Sequence, residues 1–130
     1  MQGVAALYAP GDMVWGHDNP MVPDVIQGTE SIELYLGGAP AEKPDAYRLA
    51  TPMSWVDRSL PPTLLIHGTG DQLVSPVHSR RLASALAGHG RDVTFIEVPM
   101  GEHGMDARPG GVGEQLARRA VLDFLGARLR

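Results

Sequence analysis

Apolar residues in this chain come in short unbroken runs separated by long turn-rich stretches. Gly3 to Tyr8 (GVAALY) is the first such run, closed by Ala9-Pro10-Gly11-Asp12. Thr63 to His67 (TLLIH) is the second, and Val93 to Val98 (VTFIEV) the third. Continuous apolar runs of this length, bounded by turn residues, predict strands buried on both faces, as in a parallel sheet. Two other segments carry helical spacing. Val77, Leu82, Ala85 and Leu86 form a stripe that begins after Ser75-Pro76, an N-cap followed by Pro at the first helical position, and stops at Gly88 and Gly90. Val112, Leu116, Ala120, Val121, Phe124 and Leu125 predict a final amphipathic helix, with Arg128 and Arg130 placed to suit its C-terminal dipole.

The stretch from Met13 to Leu60 reads differently. It holds Pro20, Pro23, Pro40, Pro44 and Pro52 and the pair Gly37-Gly38. Within it, Glu30 to Leu36 suits two helical turns ended by Gly37, and Asp45 to Ala50 a shorter one. The rest is expected to be irregular. A long excursion inside a compact domain is uncommon and is often a lid or pocket wall. The predicted order is therefore strand, excursion, strand, helix, strand, helix. Alternation of this kind predicts an α/β domain of about three parallel strands with right-handed crossovers and flanking helices.

In open parallel sheets, reactive groups gather at the carboxyl ends of the strands. Two residues fall there: Asp71, after Gly68-Thr69-Gly70, and His103, in Gly101-Glu102-His103-Gly104. A histidine with a pKa near ~6.5 can take a nucleophile's proton and return it to a leaving group. A buried carboxylate can hold the imidazole's tautomer and stabilise the imidazolium. The interval between the two leaves room for one helix and one strand. Taken singly, Asp71 reads as a turn carboxylate and His103 as a solvated loop histidine; together, in this order, they read as an acid–base pair. Glu102 is an alternative acid, though neighbouring side chains rarely face each other. Of the other histidines, His67 reads as structural, His17 as a residue of the excursion that lines a pocket or the surface, and His78 and His89 as exposed positions on or near the predicted helix. The serines at positions 31, 54, 59, 75, 79 and 84 do not lie in a Gly-x-Ser-x-Gly turn. No zinc-type spacing of His, Asp and Glu occurs.

Composition narrows the partners more than the chemistry. At 130 residues there is room for one domain. A net charge of −4 argues against a nucleic-acid or anionic membrane partner. No apolar run approaches the ~20 residues of a membrane span. The start, MQGVAALYAP, lacks a basic n-region and a long apolar core, so a cytoplasmic location is expected. Cysteine is absent, which excludes disulfides, thiolate metal sites and a Cys nucleophile. No cofactor or metal is expected.

The stretches Leu36-Gly37-Gly38-Ala39-Pro40, Tyr47-Arg48-Leu49-Ala50-Thr51-Pro52 and Pro61 to Gly68, with Asp71, resemble the C-terminal half of α/β-hydrolase esterases and lipases, in the carboxylesterase and feruloyl-esterase-like branch. Val4 to Asp12 is similar to the strand that follows the nucleophile helix there. The resemblance covers nearly the whole chain and implies a serine-dependent ester hydrolase acting on a small-molecule ester, without a cofactor. Asp71 would be the triad acid and His103 the general base. Residues 13–60 would correspond to the insertion that covers the substrate pocket, with Trp15, His17 and Trp55 as candidate pocket residues. The family's oxyanion loop and nucleophile elbow have no counterpart here. The expectation is a fragment inactive on its own, whose first strand offers an unpaired edge to a missing N-terminal half or to a second copy. A prolyl-oligopeptidase-like peptidase fragment and a non-catalytic binding or oligomerisation module are the alternatives.

Overall fold

The computed structural model describes residues 2–128. Its elements run β1 (Val4–Leu7), α1 (Met13–Asp18), α2 (Gly28–Leu36), α3 (Pro44–Ala50), a 3-10 turn (Pro52–Trp55), β2 (Thr63–Gly68), α4 (Val77–Gly88), β3 (Val93–Val98), a second 3-10 turn (Met105–Ala107) and α5 (Val112–Arg128). The three strands form one parallel sheet in the order β1-β2-β3. Val4 pairs with Thr63 and Leu7 with Ile66 on one side of β2; Thr63 pairs with Val93 and Gly68 with Val98 on the other.

Central position explains the composition of β2. Leu64, Leu65, Ile66 and His67 are all buried, so alternation with polar residues is lost. Successive side chains still go to opposite faces. Leu64 and Ile66 join Val98, Met105, Ala117 and Phe124 in the layer under α5. Leu65 joins Val56, Leu82 and Leu86 in the layer under α4. Full burial of each of these aliphatic side chains contributes roughly 1.5–3 kcal/mol.

Three expectations need correction. The excursion carries the two expected helices, α2 and α3, and adds α1 and a 3-10 turn that were not expected. α1 was not anticipated, because Gly16 lies inside it and Pro20 follows it closely. Its N-cap is Asp12, whose Oδ1 accepts the Trp15 N–H at 3.0 Å while Oδ2 takes Arg81 at 2.9 Å. The apolar stripe of α5 is also displaced. Val112, Leu116 and Leu125 are exposed, and the buried residues are Ala117 and Phe124, with Ala120 and Val121 partly covered. Small residues let the helix approach closely: a Cβ on Gly113 would lie 2.8 Å from the Met105 Cβ. Finally, His78 is buried, at 5% exposure, rather than solvated. The unforeseen α1 covers it. His89, at the C-terminal end of α4, is exposed.

Candidate active site

Parallel strands end at the same edge of the sheet, so the residues just past β1, β2 and β3 converge there. Tyr8 follows β1, Asp71 follows β2 and His103 follows β3. Two loops are laced together at this edge. Thr69 N–H donates to Val98 O at 3.0 Å, Gly70 N–H to Gly101 O at 3.0 Å, and Met100 N–H to Thr69 Oγ1 at 2.8 Å. The approach needs Gly68, since a Cβ there would sit 2.0 Å from Gly101 O.

This lacing brings Asp71 and His103 together. Asp71 is 2% exposed. Its Oδ1 accepts the N–H groups of Leu73 and Val74, both at 2.9 Å. Its Oδ2 lies 2.9 Å from His103 Nδ1. A carboxylate accepts, so Nδ1 carries the proton and donates it. The Nε2 lone pair is then available, and it has no hydrogen-bond partner among the described residues. The His103 side chain is 30% exposed, enough for a reactant to reach it. Charge-assisted bonds to a buried carboxylate are the stronger kind, and they offset the cost of its desolvation.

A second histidine touches the same carboxylate and behaves differently. His67 is fully buried. Its Nε2 is 2.9 Å from Val74 O and 3.3 Å from Asp71 Oδ2, so it is the donor. Its Nδ1 therefore accepts the Ser79 hydroxyl at 2.7 Å. Both nitrogens are satisfied, and Ser79 is committed to this buttress under the Asp71 loop.

Sequence reasoning missed Tyr8 and Asp106. The Tyr8 ring lies against the His103 ring, with centroids 4.3 Å apart at a 52° tilt. Its hydroxyl donates to Asp106 Oδ1 at 2.7 Å. That bond first, then burial and the negative charges of Asp106 and Asp71, push the Tyr8 phenol up to about 12. Tyr8 also holds a left-handed backbone, φ 40°, a strained state for a bulky residue. The available signal was its position immediately after the first strand.

The remaining candidates lie elsewhere. Glu102, the alternative acid, is exposed, and the His103 ring engages Asp71 instead. Trp15 packs edge-on against His78, centroids 4.8 Å apart, and under Arg81. His17 bridges Asp18 at 2.7 Å and Glu33 at 2.9 Å, joining α1 to α2; those two hydrogen bonds raise its pKa. The Arg48 and Arg58 guanidinium groups both lie against the Trp55 ring, 5.5 and 4.4 Å from its centroid. The structure does not bring Trp15, His17 or Trp55 together with Asp71 and His103. Among the described residues no group of three or more His, Cys, Asp or Glu is arranged to hold a metal. No described helix is long and apolar enough to cross a membrane.

Comparison with known proteins bears on this edge. Residues 1–86 match the BD-FAE family model, a span that includes Tyr8 and Asp71 and stops before His103. Esterase LipQ of Mycobacterium tuberculosis is 33% identical over 86 residues, 65% of this chain and 20% of that protein. The uncharacterized peptidase YtmA of Bacillus subtilis is 43% identical over 51 residues, 39% of this chain and 20% of that protein. The chain thus spans about a fifth of the length of these curated relatives. Among solved structures, a truncated form of carbohydrate esterase from gut microbiota is 29% identical with a TM-score of 0.75, covering 98% of this chain and 42% of that one. Pyrococcus horikoshii acylaminoacyl peptidase has a TM-score of 0.82 at 20% identity, covering 99% of this chain and 20% of that one, a likeness of fold alone. The three parallel strands with their flanking helices are the C-terminal portion of an α/β-hydrolase fold, and the chain belongs to the BD-FAE family.

Proposed function

We propose that this chain contributes the acid and the general base of a serine-dependent carboxylic-ester hydrolase. The observation that carries the reading is the Asp71–His103 hydrogen bond of 2.9 Å, which leaves Nε2 free at an accessible strand end. In the proposed reaction, Nε2 removes the proton of a serine hydroxyl as its oxygen attacks the ester carbonyl. The imidazolium, held by Asp71, then gives that proton to the departing alcohol. A water molecule deprotonated by the same nitrogen releases the acid and restores the serine.

The serine is to come from protein outside these residues, on a strand pairing with the outer edge of β1. That edge has no strand partner among the described residues, and β1 pairs only with β2. Residues 13–60 would cover the substrate. Without the serine the chain would be inactive.

A fluorophosphonate probe and hydrolysis of p-nitrophenyl acetate test this, on the chain alone and with the in-frame upstream coding sequence restored. The expectation is no labelling of the chain alone. A labelled upstream serine is expected in the longer protein, with His103→Ala lowering kcat by about 10³-fold or more. A labelled serine within the 130 residues, or a fully active His103→Ala variant, would sink the proposal. Cleavage of p-nitroanilides in preference to esters would turn the reading toward a peptidase, the class in which YtmA is named.

A further inference from the structure

A cavity of about 340 Å³ lies beside α1, the start of α2 and the loop that follows Asp71. Its wall is mostly apolar, with Met13, Met21, Ile26, Ile32, Leu73 and Val74 among the lining residues. Leu73 also lines the small opening that holds His103 and Gly70, so the two spaces share a wall. The main-chain N–H groups of Leu73 and Val74 hold the Asp71 carboxylate. One loop thus grips the acid with its backbone and also borders the cavity.

His78 also lines this cavity, and nothing described so far uses it. Its Nδ1 accepts the Gly11 N–H at 3.3 Å, so the proton of the neutral ring resides on Nε2. The Nε2 and Cε1 edge faces α1 at Gly16, another lining residue, where a Cβ would come within 3.0 Å of Cε1. Nε2 has no hydrogen-bond partner among the described residues, and the ring borders the cavity. Trp15 fixes the ring from the side.

We propose that this cavity binds a compact, uncharged apolar group of the ester, alkyl or aromatic, that carries one hydrogen-bond acceptor, and that His78 Nε2–H is the donor that selects it. An anionic group is disfavoured, because burial lowers the His78 pKa to about 4 and the ring is neutral near pH 7. Asp24, at the cavity rim, would also repel an anion. The ester identity of the ligand rests on the function proposed above; the cavity and its donor do not.

Anisole and ethylbenzene are matched probes, alike in size and differing in one acceptor. Their binding to the protein can be followed by NMR, together with the ¹⁵N shift of His78 Nε2. Anisole is expected to bind roughly five-fold more tightly, the worth of one neutral hydrogen bond. It should move the Nε2 resonance where ethylbenzene does not. His78→Leu should erase the preference, and His78→Gln, which keeps a donor and an acceptor, should retain most of it. Equal affinities, no binding of either probe, or an unmoved Nε2 resonance would overturn the inference; the wild-type measurements decide it even if the Leu variant fails to fold. Ester hydrolysis is measured in parallel on the longer protein, with the in-frame upstream coding sequence restored to supply the serine. Loss of hydrolysis in His103→Ala without probe discrimination refutes the cavity reading alone, and probe discrimination without any esterase activity refutes the ester reading alone.

Discussion

Gly68→Ala tests whether close packing of two loops is what holds the acid–base pair together. The new Cβ would lie 2.0 Å from Gly101 O and 2.3 Å from Gly101 C. Ordinary contact begins near about 3.5 Å, so the loops must part by roughly 1.5 Å. Three hydrogen bonds span that gap, from Thr69 N, Gly70 N and Met100 N. At a net ~1 kcal/mol each, losing them costs about 3 kcal/mol, and residual overpacking adds about 1 kcal/mol more. Total stability for a domain of this size is about 5–15 kcal/mol, so the loss is a large share. Urea unfolding followed by far-UV circular dichroism reads it directly. Gly88→Ala is the control: a Cβ there meets nothing within 4 Å, and the helix gains up to about 1 kcal/mol. A second readout is the downfield proton of the His103 Nδ1–H···Asp71 bond, which should shift or broaden in the folded variant. A Gly68→Ala protein within about 1 kcal/mol of wild type, with that resonance unmoved, would refute the packing argument.

Three further outcomes follow from the same structure. Ile66→Ala, at a fully buried position of the central strand, should cost about 2–5 kcal/mol in urea unfolding, with no repacking by its neighbours. Burial lowers the His78 pKa to about 4 from 6.5, so the unfolded chain binds the extra proton first. Stability is therefore lost as pH falls from 6.5 towards 4, by about 3 kcal/mol, and His78→Gln should remove that part of the pH dependence in thermal melts. Tyr8→Phe keeps the ring against His103 and removes the bond to Asp106. It should cost about 1 kcal/mol and delete a phenolate absorbance step near pH 12 from the alkaline titration.

The strands were legible because their physics is local. Only β2 is buried on both faces; β1 and β3 lie at the sheet's edges and keep exposed positions at Ala5, Thr94 and Glu97, yet Val93–Val98 has the predicted bounds. The helices of residues 13–60 were harder to read. α1 has only six residues, includes a glycine and depends on an Asp cap that also reads as a turn. Short helices of this kind gain their stability from tertiary contact, which no periodicity records. α5 shows the same limit from the other side. Its leucines, Leu116, Leu122 and Leu125, are exposed, because the helix meets the sheet along the line of Ala117, Ala120, Val121 and Phe124. His78 went astray for the same reason: a position on the side of α4 is solvated only until another helix is laid over it.

The acid–base pair itself was readable in outline, since parallel topology delivers strand ends to one edge. What topology does not supply is the distinction between His67 and His103. Both lie near the same carboxylate, at 3.3 Å and 2.9 Å. His67 has Val74 O on one nitrogen and Ser79 on the other, with no exposure, so moving a proton on or off it would break a satisfied buried bond. His103 has one nitrogen tied and one open. Proton transfer at Nε2 leaves its bond to Asp71 intact and strengthens it as the ring becomes charged. The difference rests on which partners close around each ring, and those partners come from α4 and the loop after Asp71. A histidine at a strand end is a candidate by its position; it becomes a base only where the fold leaves it one unfilled nitrogen and one fixed carboxylate.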